Sequence, residues 1–247
     1  MKLWKKILII FAILLIAVLG AGIIWSARSS RAAEPVVEPF LESSEQVTVM
    51  QDGWISFVPK AQSPTVGFIF YPGGNVDYRA YAPPLHEIAA QGFLVIDVPV
   101  PFDLAVLAPR KAQDVIDTYP EINKWVIGGH SLGGSMAARF IHTYPGQADG
   151  LVLWAAYPAE SDSLSSVDVS VISISGTQDG LAHPGRIERF AFLLPENTIW
   201  FPIEGGNHAQ FGFYGSQNRD RPALISREEQ QIQIITATVD FLRSFDP

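Results

Sequence analysis

Seven residues, Gly128-Gly129-His130-Ser131-Leu132-Gly133-Gly134, constrain this chain more than any other stretch. They stand between a short apolar run, Trp125-Val126-Ile127, and a segment of helical character, Met136 to His142. An apolar run, Gly-x-Ser-x-Gly and then a helix describe a strand that turns sharply into a helix with the serine at the apex. A side chain at such an apex sits on strained backbone, so the residues two before and two after it must lack side chains. Gly129 and Gly133 fill those places. The turn sets the Ser131 hydroxyl clear of the sheet and aims the helix N-terminus at it. Chance supplies the bare pattern in roughly one chain in ten of this composition. What decides is the rest of the chain.

The rest is organised as alternating apolar runs and helical segments. Gln46 to Met50 and Trp54 to Val58 flank Asp52-Gly53, a hairpin signal. Strands are then expected at Thr65–Tyr71, Phe93–Val98, Trp125–Gly129, Leu151–Ala156, Val169–Ser175 and Thr198–Ile203. Helices are expected at Tyr81–Gln91, Leu104–Tyr119, Arg186–Leu194 and from Ser226 to about Ser244, where Ser226 and Glu229 have capping-box spacing. A hairpin followed by strand–helix alternation predicts an α/β fold: a mostly parallel sheet with helices on both faces. The link Tyr157 to Asp168 is too short to hold a lid domain.

The N-terminus is different in kind. Ile7 to Trp25 runs without charge or proline, close to the length of about 20 residues that crosses a bilayer as a helix. Lys2, Lys5 and Lys6 precede it, and Trp4 and Trp25 bracket it. A cleavable signal peptide is the rival reading, because Ser30-Arg31-Ala32 loosely fits a cleavage site; signal cores are usually only about 7–15 residues, which favours an uncleaved anchor. The lysines place the N-terminus in the cytoplasm and the folded domain outside the cytoplasmic membrane, or secreted if cleavage occurs. Ala32 to Glu45, rich in Glu, Ser and Pro, reads as a stalk. Beyond residue 33 the chain holds 12 basic and 25 acidic residues, which argues against a nucleic-acid partner. The chain has no cysteine, so disulfide scaffolds, thiol nucleophiles and lipid-modified cysteines are excluded.

A serine hydroxyl is nearly inert until an imidazole takes its proton, and the imidazole needs a carboxylate to orient it. Asp179 follows the strand Val169–Ser175 in the turn Gly176-Thr177-Gln178-Asp179-Gly180; His208 follows Thr198–Ile203 in Glu204-Gly205-Gly206-Asn207-His208. Both sit at strand C-termini, where catalytic groups gather in open α/β sheets. Ser131, Asp179 and His208 are therefore the candidate triad, with Asp162 or Asp168 as alternative acids and His183 as a fallback base. His130 is expected to pack beside the serine, and His86 and His142 to be surface or packing residues. An oxyanion needs two backbone N–H donors. Leu132 is one candidate; Gly74 in Tyr71-Pro72-Gly73-Gly74-Asn75 is the other, with Gly73 as its alternative. No phosphate loop, dinucleotide fingerprint or zinc motif occurs.

At this point the sequence resembles the α/β-hydrolase superfamily, and within it the small lidless bacterial α/β-hydrolase fold-5 family. The resemblance is carried by Tyr71 to Asp77 with Ala80 to Pro83, by Gly128 to Gly134, by Gly176 to Asp179 and by Gly206 to Gly212. Tyr214-Gly215 with Gln217, and Ile225 to Gln230, also fit. It implies serine hydrolase chemistry without a cofactor or metal. The expected organisation is a cytoplasmic segment 1–6, an anchor 7–25, a linker 26–45 and a catalytic domain 46–247. The expected partners are a small-molecule ester and the membrane; thioesterase, amidase or acyltransferase chemistry and a non-catalytic binding domain are the alternatives. No obligate protein partner is evident.

Overall fold

The C-terminal halves of the central strands meet where the chain changes direction across its sheet, and that crevice organises the molecule. A computed structural model describes residues 3–29 and 31–246, with the side chains of Leu3 and residues 23–29 excepted. Lys2, the Trp25 side chain and Ser30 of the cleavage-like site lie outside the described residues. Helix α1 is Leu3–Ser29. The strands are β1 Val47–Gln51, β2 Ile55–Pro59, β3 Val66–Tyr71, β4 Leu94–Asp97, β5 Lys124–His130, β6 Gly150–Trp154, β7 Ser170–Gly176 and β8 Ile199–Ile203. The remaining helices are α2 Ala82–Ala89, α3 Lys111–Thr118, α4 Leu132–Thr143, α5 Pro184–Phe190 and α6 Arg227–Arg243.

All eight strands form one sheet in the order β1-β2-β4-β3-β5-β6-β7-β8. The opening hairpin is antiparallel, β2 pairs antiparallel with β4, and every pair from β4 onward is parallel. The period of two along each strand builds two cores. Phe68, Phe70, Val126, Val152 and Trp154 face one side with residues of α2 and α6. Ile69, Tyr71, Ile127, Leu151 and Leu153 face the other with residues of α3 and α4. The inner strands β3 to β7 bury both faces, which is why these stretches read as continuous apolar runs rather than alternating ones. Chain order runs from β3 outward to β4 on one side and to β5 on the other, so the crevice beyond β3 and β5 is the topological switch point.

Two elements depart from the sequence expectation. The helix expected over Leu104–Tyr119 is broken: short 3-10 turns cover Pro101–Asp103 and Ala105–Leu107, and α3 begins only at Lys111. Pro109 is the cause, since a residue before proline is pushed out of the helical region, and Ala108 sits at φ −130°, ψ 52°. Arg31 and residues 32–41 of the segment 32–45 that reads as a stalk lie against the body. Arg31 exchanges backbone hydrogen bonds with Asn75 (2.8 Å) and Asp77 (2.9 Å), and Val37 is buried in a 3-10 turn, Pro35–Leu41. The apolar Val37, Phe40 and Leu41 gave that Pro- and Glu-rich segment something to bury.

Helix α1 contrasts with the rest. Its side chains from Trp4 to Leu19 are exposed, and Trp4–Gly22 is long and apolar enough to cross a membrane or to act as a signal sequence.

Candidate active site

Three turns at strand C-termini bring the candidate residues to the crevice. Ser131, between β5 and α4, has φ 53° and ψ −117°, a region that costs a non-glycine residue about 1–3 kcal/mol. The surrounding backbone holds it there: the Ser131 N–H donates to the Trp154 carbonyl (2.9 Å), and the Ser131 carbonyl accepts from the Ser135 N–H (3.2 Å). The flanking glycines are sterically required. A Cβ on Gly129 would lie 2.5 Å from the Tyr71 carbonyl oxygen and 2.6 Å from the Gly133 carbonyl carbon; one on Gly133 would overlap the carbonyls of Tyr71 and Pro72. β3, β5 and α4 thus pack backbone on backbone around the serine.

The β7 and β8 turns are assembled by hydrogen bonds instead. His208 Nδ1 lies 2.7 Å from Asp179 Oδ2, and both side chains are buried. The other carboxylate oxygen accepts from the Leu181 and Ala182 N–H groups, each at 2.7 Å. An ionised carboxylate only accepts, so the His208 Nδ1–H donates to Asp179. His208 Nε2 has no hydrogen-bond partner, so Ser131 Oγ and His208 are not hydrogen-bonded in this conformation. Contacts of this kind commonly tighten only once substrate is bound. Neither Asp162 nor the exposed Asp168 meets His208, and His183 Nδ1 accepts from the Gly185 N–H at the start of α5.

On the β3 side, the Gly73 N–H donates to the Tyr81 hydroxyl (3.1 Å), which lies 2.8 Å from His130 Nδ1. The Gly73 N–H and His130 Nδ1 thus share the Tyr81 hydroxyl. Burial, reinforced by the adjacent His208, holds the His130 pKa well below the ordinary histidine value. Burial likewise pushes the Tyr81 hydroxyl well up. The His130 ring lies 4.4 Å from the His208 ring and stacks on Phe211 at 5.5 Å. Gly73 is thus already committed to a phenol. Gly74 touches Leu132: a Cβ there would meet Leu132 Cδ2 at 3.1 Å. Among the described residues, neither the Gly74 nor the Leu132 N–H donates a backbone hydrogen bond.

Sequence reasoning missed two side chains that hold the His208 turn. Asp220 accepts from the N–H groups of Ala209 (2.8 Å), Gly180 (3.0 Å), Arg221 (3.0 Å) and His208 (3.3 Å). It ties the acid turn to the histidine turn, yet between Arg219 and Arg221 it reads as an ordinary solvated charge. Gln230, fully buried on α6, accepts from the Asn207 N–H (2.9 Å) and donates to the Asn207 carbonyl (2.8 Å). A glutamine on the buried face of a helix was the available signal. His86 proves to be a packing residue edge-on to Phe40 and Phe57, with burial lowering its pKa.

A cavity of about 520 Å³ opens beside Ser131, with Leu132, Tyr157, His183, Arg186 and Arg219 among its walls. Among the described residues, no group of three or more His, Asp or Glu side chains is arranged to hold a metal ion.

A strained serine at the switch point of a mostly parallel sheet, with a buried His–Asp pair on neighbouring turns, defines the α/β-hydrolase class of fold. The sequence profile of the Alpha/beta hydrolase family matches residues 67–232, and the chain belongs to that family. Among solved structures it is similar to a monoacylglycerol lipase from Paleococcus ferrophilus, at 14% identity and TM-score 0.61, over 79% of this chain and 99% of that one. The esterase domain of a Rhodothermus marinus protein matches at 9% identity and TM-score 0.58, covering 80% and 97% of the two chains. A predicted CIB-like hydrolase from Thermoplasma acidophilum matches at 18% identity and TM-score 0.53, covering 81% and 98%. At these identities the likeness is one of fold. A search of curated proteins finds no match.

Proposed function

We propose that the protein is a serine hydrolase that cleaves carboxylic esters through an acyl-enzyme intermediate. The observation that carries this reading is Ser131 itself, held at φ 53° on the rim of a cavity at the switch point. Strain of that kind persists only where the surrounding structure enforces it, and it marks functional positions. In the proposed mechanism Ser131 Oγ rotates toward His208 and attacks the acyl carbon while Nε2 takes its proton. Asp179, ionised and hydrogen-bonded to Nδ1, stabilises the imidazolium. The Leu132 and Gly74 N–H groups hold the oxyanion, a role supported by the prior engagement of Gly73 with Tyr81. His208 then protonates the departing alcohol, and water activated by His208 releases the acid.

The lipase and esterase among the similar structures favour ester bonds. Residues 7–25 are proposed to anchor the chain in the cytoplasmic membrane, with residues 26–45 as linker and the catalytic domain 46–247 outside. Fractionation with N-terminal sequencing of the mature protein tests the anchor; a new N-terminus near residue 32 in a soluble fraction would replace it with a cleaved signal.

The chemistry is tested with a fluorophosphonate probe and a panel of nitrophenyl esters, with a thioester and an amide beside them. The expected result is labelling at Ser131 and ester turnover that Ser131→Ala abolishes. Folded protein that takes no label and turns over none of the esters, the thioester or the amide would leave a non-catalytic binding domain instead.

A further inference from the structure

The walls of the Ser131 cavity differ in charge from the rest of the chain. Acidic residues outnumber basic ones by 25 to 17 over the whole sequence, yet no Asp or Glu lines the cavity, while Arg186 and Arg219 both do. The two arginines arrive from separate segments, the first turn of α5 and the loop before α6. Among the described residues neither guanidinium is paired with a carboxylate, although Arg79, Arg227 and Arg243 are. Arg186 is held in place by other means. Arg186 Nη1 donates to the Tyr157 hydroxyl (3.1 Å), and the Tyr157 ring stacks on Phe190 with centroids 4.7 Å apart. Arg219 has a left-handed backbone, φ 72°, an uncommon state for a long side chain. Its backbone lies between the Asp220 clamp, next in sequence, and Gly180, where a Cβ would overlap the Arg219 carbonyl.

Two unpaired guanidiniums on a wall free of carboxylates, in an otherwise acidic molecule, make a local anion-attracting field beside the serine. Arginine presents several donors in a fixed fork suited to carboxylate and phosphate oxygens. Resting on the hydrolase reading above, we propose that the ester cleaved at Ser131 carries an anionic group, a carboxylate or a phosphate, which Arg186 and Arg219 bind during acyl transfer. They act on specificity: the bond broken is still the acyl C–O bond, and the anion is retained in a product.

The full-length protein is assayed with two matched pairs of esters. One pair is 4-nitrophenyl octanoate and the mono-4-nitrophenyl ester of suberic acid, which adds a carboxylate to the acyl side. The other is phenyl butyrate and 4-butyryloxyphenyl phosphate, which adds a phosphate to the leaving group. The expected result is a kcat/KM preference for the anionic member of at least one pair of about tenfold or more, in the range of charge-assisted hydrogen bonds. The favoured pair tells which side of the scissile bond, and which anion, the arginines bind. Raising salt to about 0.5 M should shrink the preference, because the groups are solvent-accessible. Arg186→Gln with Arg219→Gln should bring the ratio of anionic to neutral turnover to near unity, a ratio in which any loss common to both esters cancels, and Arg→Lys should restore part of it. Neutral esters turned over through Ser131 with no anionic preference, or a preference unchanged in the double glutamine variant, would overturn this inference and leave the hydrolase standing. Inertness toward all four esters together with no fluorophosphonate labelling would overturn the hydrolase reading itself.

Discussion

The crevice is built in two ways, and its halves fail differently. On the β3–β5 side, position is set by the absence of side chains: Gly129 and Gly133 let three backbone segments touch around Ser131. On the β7–β8 side, position is set by side chains that bind backbone: Asp179, Asp220 and Gln230 together engage N–H groups of Leu181, Ala182, Gly180, His208, Ala209, Arg221 and Asn207. Steric enforcement is all-or-none, because a backbone carbonyl cannot yield to a methyl group. Hydrogen-bond enforcement is graded, because each bond contributes about 0.5–1.5 kcal/mol net and leaving a buried partner unmet costs about 1–3 kcal/mol.

The largest expected effect is therefore Gly133→Ala, whose methyl meets the Tyr71 and Pro72 carbonyls. It should destabilise by more than about 4 kcal/mol in urea titration. Gly74→Ala meets only the Leu132 side chain, which can move, and should fold normally; equal losses in the two variants would break the steric account. Next comes Ser131. Replacement by alanine should lower kcat by about 10³-fold or more. Ser131→Gly should instead raise stability by roughly 1 kcal/mol, the relieved strain less glycine's extra freedom when unfolded. No stabilisation in Ser131→Gly would mean the serine backbone is not strained.

Asp220→Asn tests the graded side. An amide offers one acceptor oxygen where four N–H groups now converge, so stability should fall by about 2–3 kcal/mol and kcat by roughly ten- to a hundredfold, with KM for a neutral ester little changed. A kcat like that of the unmodified enzyme would remove Asp220 from the positioning of His208. Tyr81→Phe strips the partner from the Gly73 N–H and from His130 Nδ1, and should cost about 1–3 kcal/mol. If Gly74 is the oxyanion donor, its kcat should fall only modestly; a rise would point to Gly73.

The smallest effect is a pH slope. His130 is held neutral in the folded state, its pKa well below the ordinary 6.5. The unfolded chain takes up that proton below about pH 6.5 and the folded one does not, so stability is lost as pH falls through that value. His86 acts in the same direction, because burial lowers its pKa too. Denaturation midpoints at about pH 7.5 and 5.5 should differ less in His130→Gln than in the unmodified protein, and identical slopes would contradict the neutral assignment.

These halves also differed in how readily they could be read in advance. Gly129, Ser131 and Gly133 announce themselves because they lie in one short turn between β5 and α4, so their pattern survives in one dimension even though the Tyr71 and Pro72 carbonyls that exclude a side chain there come from the end of β3. The sheet is legible for a similar reason: strands buried on both faces are apolar throughout, and proline and glycine mark where they stop. What one dimension hides is convergence. Asp179 and His208 could be nominated from their turns, but their 2.7 Å contact depends on β7 and β8 lying side by side. Asp220 carried no local pattern and Gln230 only its place on the buried face of α6, since a side chain that binds distant backbone leaves no spacing to detect. Even with Pro109 plain in the sequence, Leu104–Tyr119 read as one helix, and only the fold shows that α3 begins at Lys111. Local sterics and burial are written residue by residue, and they already marked out a parallel sheet with a serine on a glycine-flanked turn. Which buried donors and acceptors face one another is a property of the packed sheet, and that packing put a neutral His130 beside the carboxylate-bound His208 and two unpaired arginines beside Ser131.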